Sequence, residues 1–281
     1  MESRAMAEPS YATAPAEIDR DAAERFATHV APTLVKVAQR LVDLAELEPG
    51  NAVLDLCTST GLAAFLAAER VGREGTVIGL DRSQAMLDVA RERSAAVGYD
   101  YIHWQQGEAV PLRFADESFD AVLCLHGLAE LQDPFAALEE ARRVLVEHGR
   151  LAVTIWSGQG ANEWLAVLHE AFRRALPTRR PPNVLQLAQP GNLEALLQAS
   201  GFQQVESARL PDMMRFQSIE AFWQWARAIG RWGATIAALE PAARARLLDV
   251  LHALLEPRMR RGELVLAREI VYARAVAPPA L

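Results

Sequence analysis

The sequence predicts an α/β fold: a doubly wound, mostly parallel sheet with helices on both faces, plus a helical cap. The first observation is a rhythm. From residue 52 to residue 156, short apolar segments and helical segments alternate four or more times with short connections, which favours parallel pairing. The second is size and balance. The chain has 281 residues, 51% hydrophobic and 23% charged, enough for one large domain or a domain with a smaller cap. The third is a change of rhythm after about Asn162, where helical segments dominate before strands return.

The elements follow in order. The first fifteen residues, with Pro9 and Pro15, read as a tail or an arm laid over something else. Asp19–Leu47 is helix-rich and broken at Pro32. Ala52–Thr58 is a short apolar strand, and Leu62–Val71 a helix. Thr76–Asp81 is a strand ending in an acid, and Ser83 caps a helix to about Val97. Tyr101–Gln106 and Phe119–Leu125 are strands, the second strongly apolar. Asp133 caps a helix from Pro134 to about Glu147, Gly149 ends it, and Arg150–Trp156 is a strand. Later come a strand at Gln203–Arg209, helices at Ser218–Gly230 and Glu240–Glu256, and a long final strand at Glu263–Ala275. The organisation is an N-terminal arm and helices (1–48), a Rossmann-like cofactor-binding core (49–160), the rest of the core (161–217), a helical cap (218–260) and the final strand (261–281).

Several functions drop out. With 29 basic against 36 acidic residues the net charge is −7, and no long basic run exists, which argues against a nucleic-acid partner. The longest apolar runs, such as Ala121–Leu125, are far below the ~20 residues of a membrane span. No basic n-region precedes an apolar stretch at the N-terminus, so no secretory signal is expected. Two cysteines, Cys57 and Cys124, are too few for a disulfide framework or a four-thiolate metal site, and no metal site is expected. They suit a reducing, cytoplasmic compartment.

In open parallel sheets, ligands sit beyond the carboxyl ends of the strands. The informative segments are therefore Cys57–Gly61, Asp81–Met86, Gly107–Ala109, Leu125–Leu128 and Trp156–Gly160. Small residues in Cys57–Gly61 let backbone N–H groups approach a ligand closely, though such residues are common at any strand-to-helix turn. Asp81 stands 26 residues after Asp55, where a carboxylate can accept from two vicinal ribose hydroxyls; the lesser alternative is a helix N-terminal charge.

With these segments in place, the sequence resembles the class I S-adenosylmethionine-dependent methyltransferases, and within them the ubiquinone/menaquinone-biosynthesis-type group acting on small molecules. VLDLCTSTGLAA at 53–64, VIGLDRSQAMLDVAR at 77–91, GEAVPLRFADESFDAVLCLHGLAEL at 107–131, RRVLVEHGRLAVTIW at 142–156 and LLQASGFQQV at 196–205 carry the resemblance. It implies a seven-stranded sheet with an antiparallel last strand. It also implies S-adenosylmethionine as cofactor, S-adenosylhomocysteine as product, and a small apolar or aromatic acceptor. Asp55 and the Cys57, Thr58, Ser59 and Gly61 turn would cradle the methionine part. Asp81, with Arg82 beside it, would hold the ribose. Met86 would pack on the adenine, unless it is a plain core methionine. Gly107, Glu108 and Ala109 would meet the adenine edge, with Glu108 where family members usually carry Asp. Leu125 and His126 would line the place where the methyl group leaves.

One departure stands out. The family pattern in the first turn is close to D-x-G-x-G-x-G, and here Cys57 and Ser59 replace the first two glycines. A non-glycine residue at positive φ costs ~1–2 kcal/mol. His126 is the candidate catalytic base for a hydroxyl acceptor, since histidine titrates near neutrality; it also suits a pocket wall. His29 is a second choice. Phe222, Trp223, Trp225 and Trp156 are candidates for an aromatic acceptor wall, and the first three equally suit cap packing. A nicotinamide dehydrogenase is excluded because Gly158-x-Gly160 is followed by Glu163 where that fingerprint needs Gly or Ala. A degenerate domain that binds a metabolite or partner, or that uses the cofactor for another reaction, remains the alternative.

Overall fold

The computed structural model describes residues 18–182 and 186–279, so the expected N-terminal arm lies outside the described residues. Eight strands form one sheet: β1 (Ala52–Leu56), β2 (Thr76–Asp81), β3 (Ile102–Gln106), β4 (Phe119–Leu125), β5 (Leu145–Trp156), β6 (Gln203–Phe216), β7 (Met259–Arg260) and β8 (Glu263–Val276). Their order is β3-β2-β1-β4-β5-β8-β6, with β7 pairing only β8. The first five are parallel, and β8 is antiparallel to both β5 and β6. The expected architecture holds, with one extra two-residue strand.

Strand chemistry explains the layering. Val53, Ala121 and Leu123 face α2 (Val35–Leu44) and α3 (Leu62–Val71), while Leu54, Val122 and Cys124 face α5 (Pro134–Val144) and α7 (Asn192–Ala199). Alternate residues point to opposite faces, and both faces are covered, so the strands read as continuous apolar runs. Serine and aspartate start the helices as expected. Ser83 accepts from the Met86 N–H at 3.3 Å at the head of α4 (Gln84–Ala96), and Asp133 accepts from the Ala136 N–H at 2.9 Å.

Two boundaries differ from the sequence reading, and one agrees with it. The α-helical run is interrupted around Pro32, as expected. After α1 (Arg20–Arg25) the chain passes through a π turn (Phe26–Val30) and a 3₁₀ turn (Ala31–Leu34) into α2, which accommodates the missing N–H. The helix after Asp133 stops at Val144 rather than near Glu147, because Leu145 already pairs with Phe119; the ladder then skips to Ala121 opposite Arg150. Gly149 closes that excursion, where a Cβ would lie 2.8 Å from the Val146 carbonyl oxygen. Strand β6 runs on to Phe216, zipped to β8 as far as Leu264.

Helices α6 (Glu163–Ala175), α8 (Ile219–Ala226), α9 (Gly230–Ala237) and α10 (Pro241–Leu255) share one apolar cluster with Val30, Leu34, Val37 and the buried face of β8. The cap therefore roofs the β5–β8 end of the sheet, on the α2 side. No helix among the described residues is long and apolar enough to cross a membrane.

Candidate active site

The site is built at the carboxyl ends of β1, β2, β4 and β5. Asp55, the fourth residue of β1, is 1% exposed. Its Oδ2 accepts from the Thr58 hydroxyl at 2.5 Å and the Ala64 N–H at 2.9 Å, while its Oδ1 is buried without a partner. Burial pushes its carboxyl up to about 7, against those two hydrogen bonds. The Thr60 hydroxyl is likewise buried and unpartnered. The Thr58 N–H donates to the Leu80 carbonyl at 2.9 Å, which stitches the turn to β2. Cys57 and Ser59 both adopt positive φ, 59° and 51°, and Gly61 follows at 85°. The backbone is thus left-handed at three alternate positions of the turn, two of them without glycine. At Gly61 a side chain would also collide with Trp104, 2.5 Å from an added Cβ.

Asp81 closes β2. Its Oδ2 accepts from the Ser59 N–H at 2.8 Å and its Oδ1 from the Ser83 N–H at 2.9 Å. One carboxylate thereby ties the first turn to the head of α4. Burial raises its pKa despite both bonds. Arg82 is exposed beside it, and the Gly107 N–H donates to the Asp81 carbonyl at 3.0 Å. Glu108 is exposed and Ala109 buried at the end of β3. Met86 packs with Ala23, Val89 and Phe26 in a small cluster under α1, in the manner of a core methionine.

His126 sits at φ 60° just past β4, its N–H bonded to the Thr154 carbonyl and hydroxyl, both at 3.1 Å. Its ring stacks on Trp156 with centroids 4.4 Å apart and planes 4° from parallel. Both ring nitrogens are buried and unpartnered. Burial, and then the charge of Arg268, push its pKa down to about 3, so the imidazole is neutral at physiological pH. The next residue, Gly127, abuts the first turn: a Cβ there would lie 2.4 Å from the Cys57 Cβ and 3.1 Å from the Cys124 Sγ. Cys57 and Cys124 are free, and their mutual contact, with burial, raises the Cys57 thiol.

The structure brings together Asp55, Cys57–Gly61, Asp81 and Gly107 on one side, and Leu125, His126 and Trp156 on the other. It does not bring the cap aromatics to an open wall. Phe222 and Trp225 are fully buried and Trp223 is 3% exposed, and all three lie in the cap cluster. Trp225 lies edge-on to Trp164 and donates to the Thr33 hydroxyl at 3.2 Å. Packing, not exposure, explains these three rings. His29, on the π turn, is half-buried. Two surface concavities, about 690 and 280 Å³, lie elsewhere, beside Glu140 and Arg143 and beside His169 and Arg173.

Sequence reasoning missed Arg268. It is 4% exposed on β8, donates to Asp212 and to the Thr33 carbonyl, and lies 5.9 Å from the Trp156 ring centroid. Its signal was present: Leu264, Leu266, Ile270 and Tyr272 are the buried positions of an alternating strand, and position 268 shares their parity.

A Rossmann-like sheet with an acid closing β1, a left-handed first turn and an acid closing β2 defines the class I methyltransferase architecture. The ubiE/COQ5 methyltransferase family model matches residues 35–178. A 2-phytyl-1,4-naphtoquinone methyltransferase from Thermosynechococcus vestitus is 35% identical over 60% of this chain and 79% of its own length. A demethylmenaquinone methyltransferase from Listeria monocytogenes is 35% identical over 51% of this chain and 60% of its own. A solved structure from Bacillus halodurans C-125 shares the fold with a TM-score of 0.59 at 20% identity, covering 86% of this chain and 99% of that one. The chain belongs to the ubiE/COQ5 methyltransferase family and is a methyl-transferring enzyme.

Proposed function

We propose that this protein transfers a methyl group from S-adenosylmethionine to a small, flat, apolar acceptor of the quinol type. One observation carries the reading: the first turn and the His126 turn abut at Gly127, which leaves room for no side chain between them. Cofactor-side and acceptor-side residues are thus neighbours, as an in-line transfer requires.

The residues present fit the cofactor. Asp55 Oδ1 and the Thr60 hydroxyl are buried polar atoms in need of partners. An acceptor oxygen and a hydroxyl there suit the ammonium and carboxylate of the methionine part. Asp81 keeps lone pairs for the ribose hydroxyls beyond its two backbone bonds. Gly107, Glu108 and Ala109 offer backbone and carboxylate groups to the adenine edge. When bound, the cofactor supplies a methyl group activated by the sulfonium charge. The protein's part is to hold both reactants and exclude water. His126, neutral and stacked, offers one ring nitrogen as acceptor for an acceptor hydroxyl and the other as donor. The relatives' printed names, a 2-phytyl-1,4-naphtoquinone and a demethylmenaquinone methyltransferase, support a flat ring seated beside Leu125 and the stacked His126–Trp156 pair.

The test is calorimetry with S-adenosylhomocysteine, followed by assay of labelled methyl transfer to a 2-alkyl-1,4-naphthoquinol. The expected result is saturable binding and a labelled product. A protein that binds no S-adenosylhomocysteine at millimolar concentration refutes the reading.

A further inference from the structure

We propose that Arg268, with His126 and Trp156, forms a subsite for an ionised oxygen on a flat ring, so that the acceptor is taken as a phenolate- or enolate-type anion. This rests on the methyltransferase reading and names the chemistry of its acceptor.

The position comes from the ladder. Ile270 lies opposite Trp156, so Arg268 stands one same-face step past the end of β5, on the side where ligands of parallel sheets bind. The guanidinium is anchored on two edges. Nε donates to Asp212 Oδ2 at 2.8 Å, and Nη2 reaches both that oxygen and the Thr33 carbonyl, the latter at 2.9 Å. These bonds account for its role in joining β6 and the N-terminal helices to β8. They leave Nη1 buried with no partner.

Buried unpartnered polar atoms are rare, because each costs about 1–3 kcal/mol. Yet the site collects Asp55 Oδ1, Thr60 Oγ1, both His126 nitrogens and Arg268 Nη1, half of the ten such atoms among the described residues. The first two fall on the cofactor side. The other three belong to His126 and Arg268, which both lie against the Trp156 indole. A ligand that satisfies them needs an anionic or strongly accepting oxygen for Nη1, a second polar group for the imidazole, and a planar body for the indole. An ionised hydroxy-arene that carries a second oxygen substituent has all three. Neither a simple hydrocarbon nor an amine cation does.

The charge also serves the chemistry. A hydroxy-arene becomes a strong nucleophile when its hydroxyl proton leaves to water, and a nearby buried cation favours that ionised form. The anion then bonds to the methyl carbon through oxygen or the adjacent ring carbon. The carbon–sulfur bond breaks with its electron pair left on sulfur, and anion and sulfonium become two neutral products. Where carbon attacks, its remaining proton leaves to water and the ring is restored.

The experiment is calorimetry on the full chain, saturated with S-adenosylhomocysteine at pH 7.5, with two probes: 4-nitro-1-naphthol, ionised at this pH, and its neutral methyl ether. Wild type is expected to bind the naphtholate at least tenfold more tightly than the ether. Arg268→Gln is expected to bring the two within twofold while ether and S-adenosylhomocysteine affinities hold, and Arg268→Lys to keep most of the preference. A purely structural arginine would not move that ratio. Equal binding of the two probes by wild type, binding of neither, or an unchanged ratio in Arg268→Gln overturns the proposal. If Arg268→Gln does not fold, Asp212→Asn decides: it removes the competing carboxylate, so the preference must rise, and a constant or lower ratio overturns the proposal. A wild type that fails to bind S-adenosylhomocysteine overturns the methyltransferase reading itself.

Discussion

Asp55 makes the stability of this enzyme fall with rising pH, and Asp55→Asn exposes the effect. The carboxyl titrates near 7 in the fold against an ordinary value of 3.8, because burial disfavours its charge. The folded state therefore keeps a proton between pH 3.8 and 7 that the unfolded chain has lost. Stability declines as pH rises through that window, and the full penalty applies above it. A shift of about three pH units is ~4 kcal/mol. Asparagine can accept through its own oxygen from the Thr58 hydroxyl and the Ala64 N–H, without a charge to desolvate. At ~2–4 °C per kcal/mol for a chain of this size, Asp55→Asn should melt roughly 10 °C higher than wild type at pH 8 and level with it at pH 4. His126 acts in the opposite sense. Its lowered pKa means stability is lost as pH falls from 6.5 toward 3, but both proteins carry it, so it cancels in the difference. The assay is ligand-free thermal unfolding from pH 4 to 8. A melting difference that does not change with pH would show that Asp55 is not a desolvated acid. The same variant should bind S-adenosylmethionine at least tenfold more weakly.

Three further outcomes follow from the site. Asp81→Ala should abolish measurable cofactor binding and also destabilise the apo fold by about 1–3 kcal/mol, since the Ser59 and Ser83 N–H groups lose their acceptor; calorimetry with unchanged affinity would remove Asp81 from the ribose site. His126→Gln should lower methyl transfer to a hydroxyl acceptor, yet the wild-type pH–rate profile should show no inflection near 6.5 due to this residue, because its imidazole stays neutral well below that pH; an inflection there that vanishes in the variant would refute the closed, desolvated setting. Ser59→Gly should raise the ligand-free melting temperature by about 2–4 °C, through relief of ~1 kcal/mol at φ 51°, and leave S-adenosylmethionine affinity unchanged, since the turn is already left-handed without ligand; weaker binding in a thermal-shift titration would mean the serine hydroxyl is itself a ligand contact.

The sheet was legible because its signals are local. A five-residue strand with Asp55 as its fourth residue, a capping Ser83 and a capping Asp133 act within a few residues of themselves. The grouping of the residues expected to meet the cofactor was legible for the same reason, since each lies at or just past a strand end. What escaped was set by long-range packing. Arg268 contacts Thr33, 235 positions away, and that partnership is invisible to a pattern. The cap aromatics illustrate the converse. Three large rings within four residues suggested a wall, but Phe222 and Trp225 turn toward Phe216 and Trp164 and vanish into the cluster that seats the cap. The end of α5 was misplaced because Gly149 reads as a helix stop, whereas it closes an excursion inside β5.

The first turn shows how a close approach survives the loss of two glycines. Left-handed backbone is a conformational demand, met at Cys57 and Ser59 at a cost of ~1–2 kcal/mol each. Space is a separate demand, and it is met on the other side of the contact. Gly127 does not adopt a positive φ; a side chain is barred there because the Cys57 Cβ already fills the place it would take, 2.4 Å away. In this chain the side chains present in the first turn are matched by one missing beside His126. Gly61 and Gly79 complete the arrangement, each barred from a side chain by Trp104 at 2.5 Å. The strain in the turn is held by bonds from outside it: the Leu80 carbonyl on the Thr58 N–H and the Asp81 carboxylate on the Ser59 N–H. A turn secured from β2 in this way does not need glycine to hold its shape. The altered motif is therefore compatible with a working cofactor site.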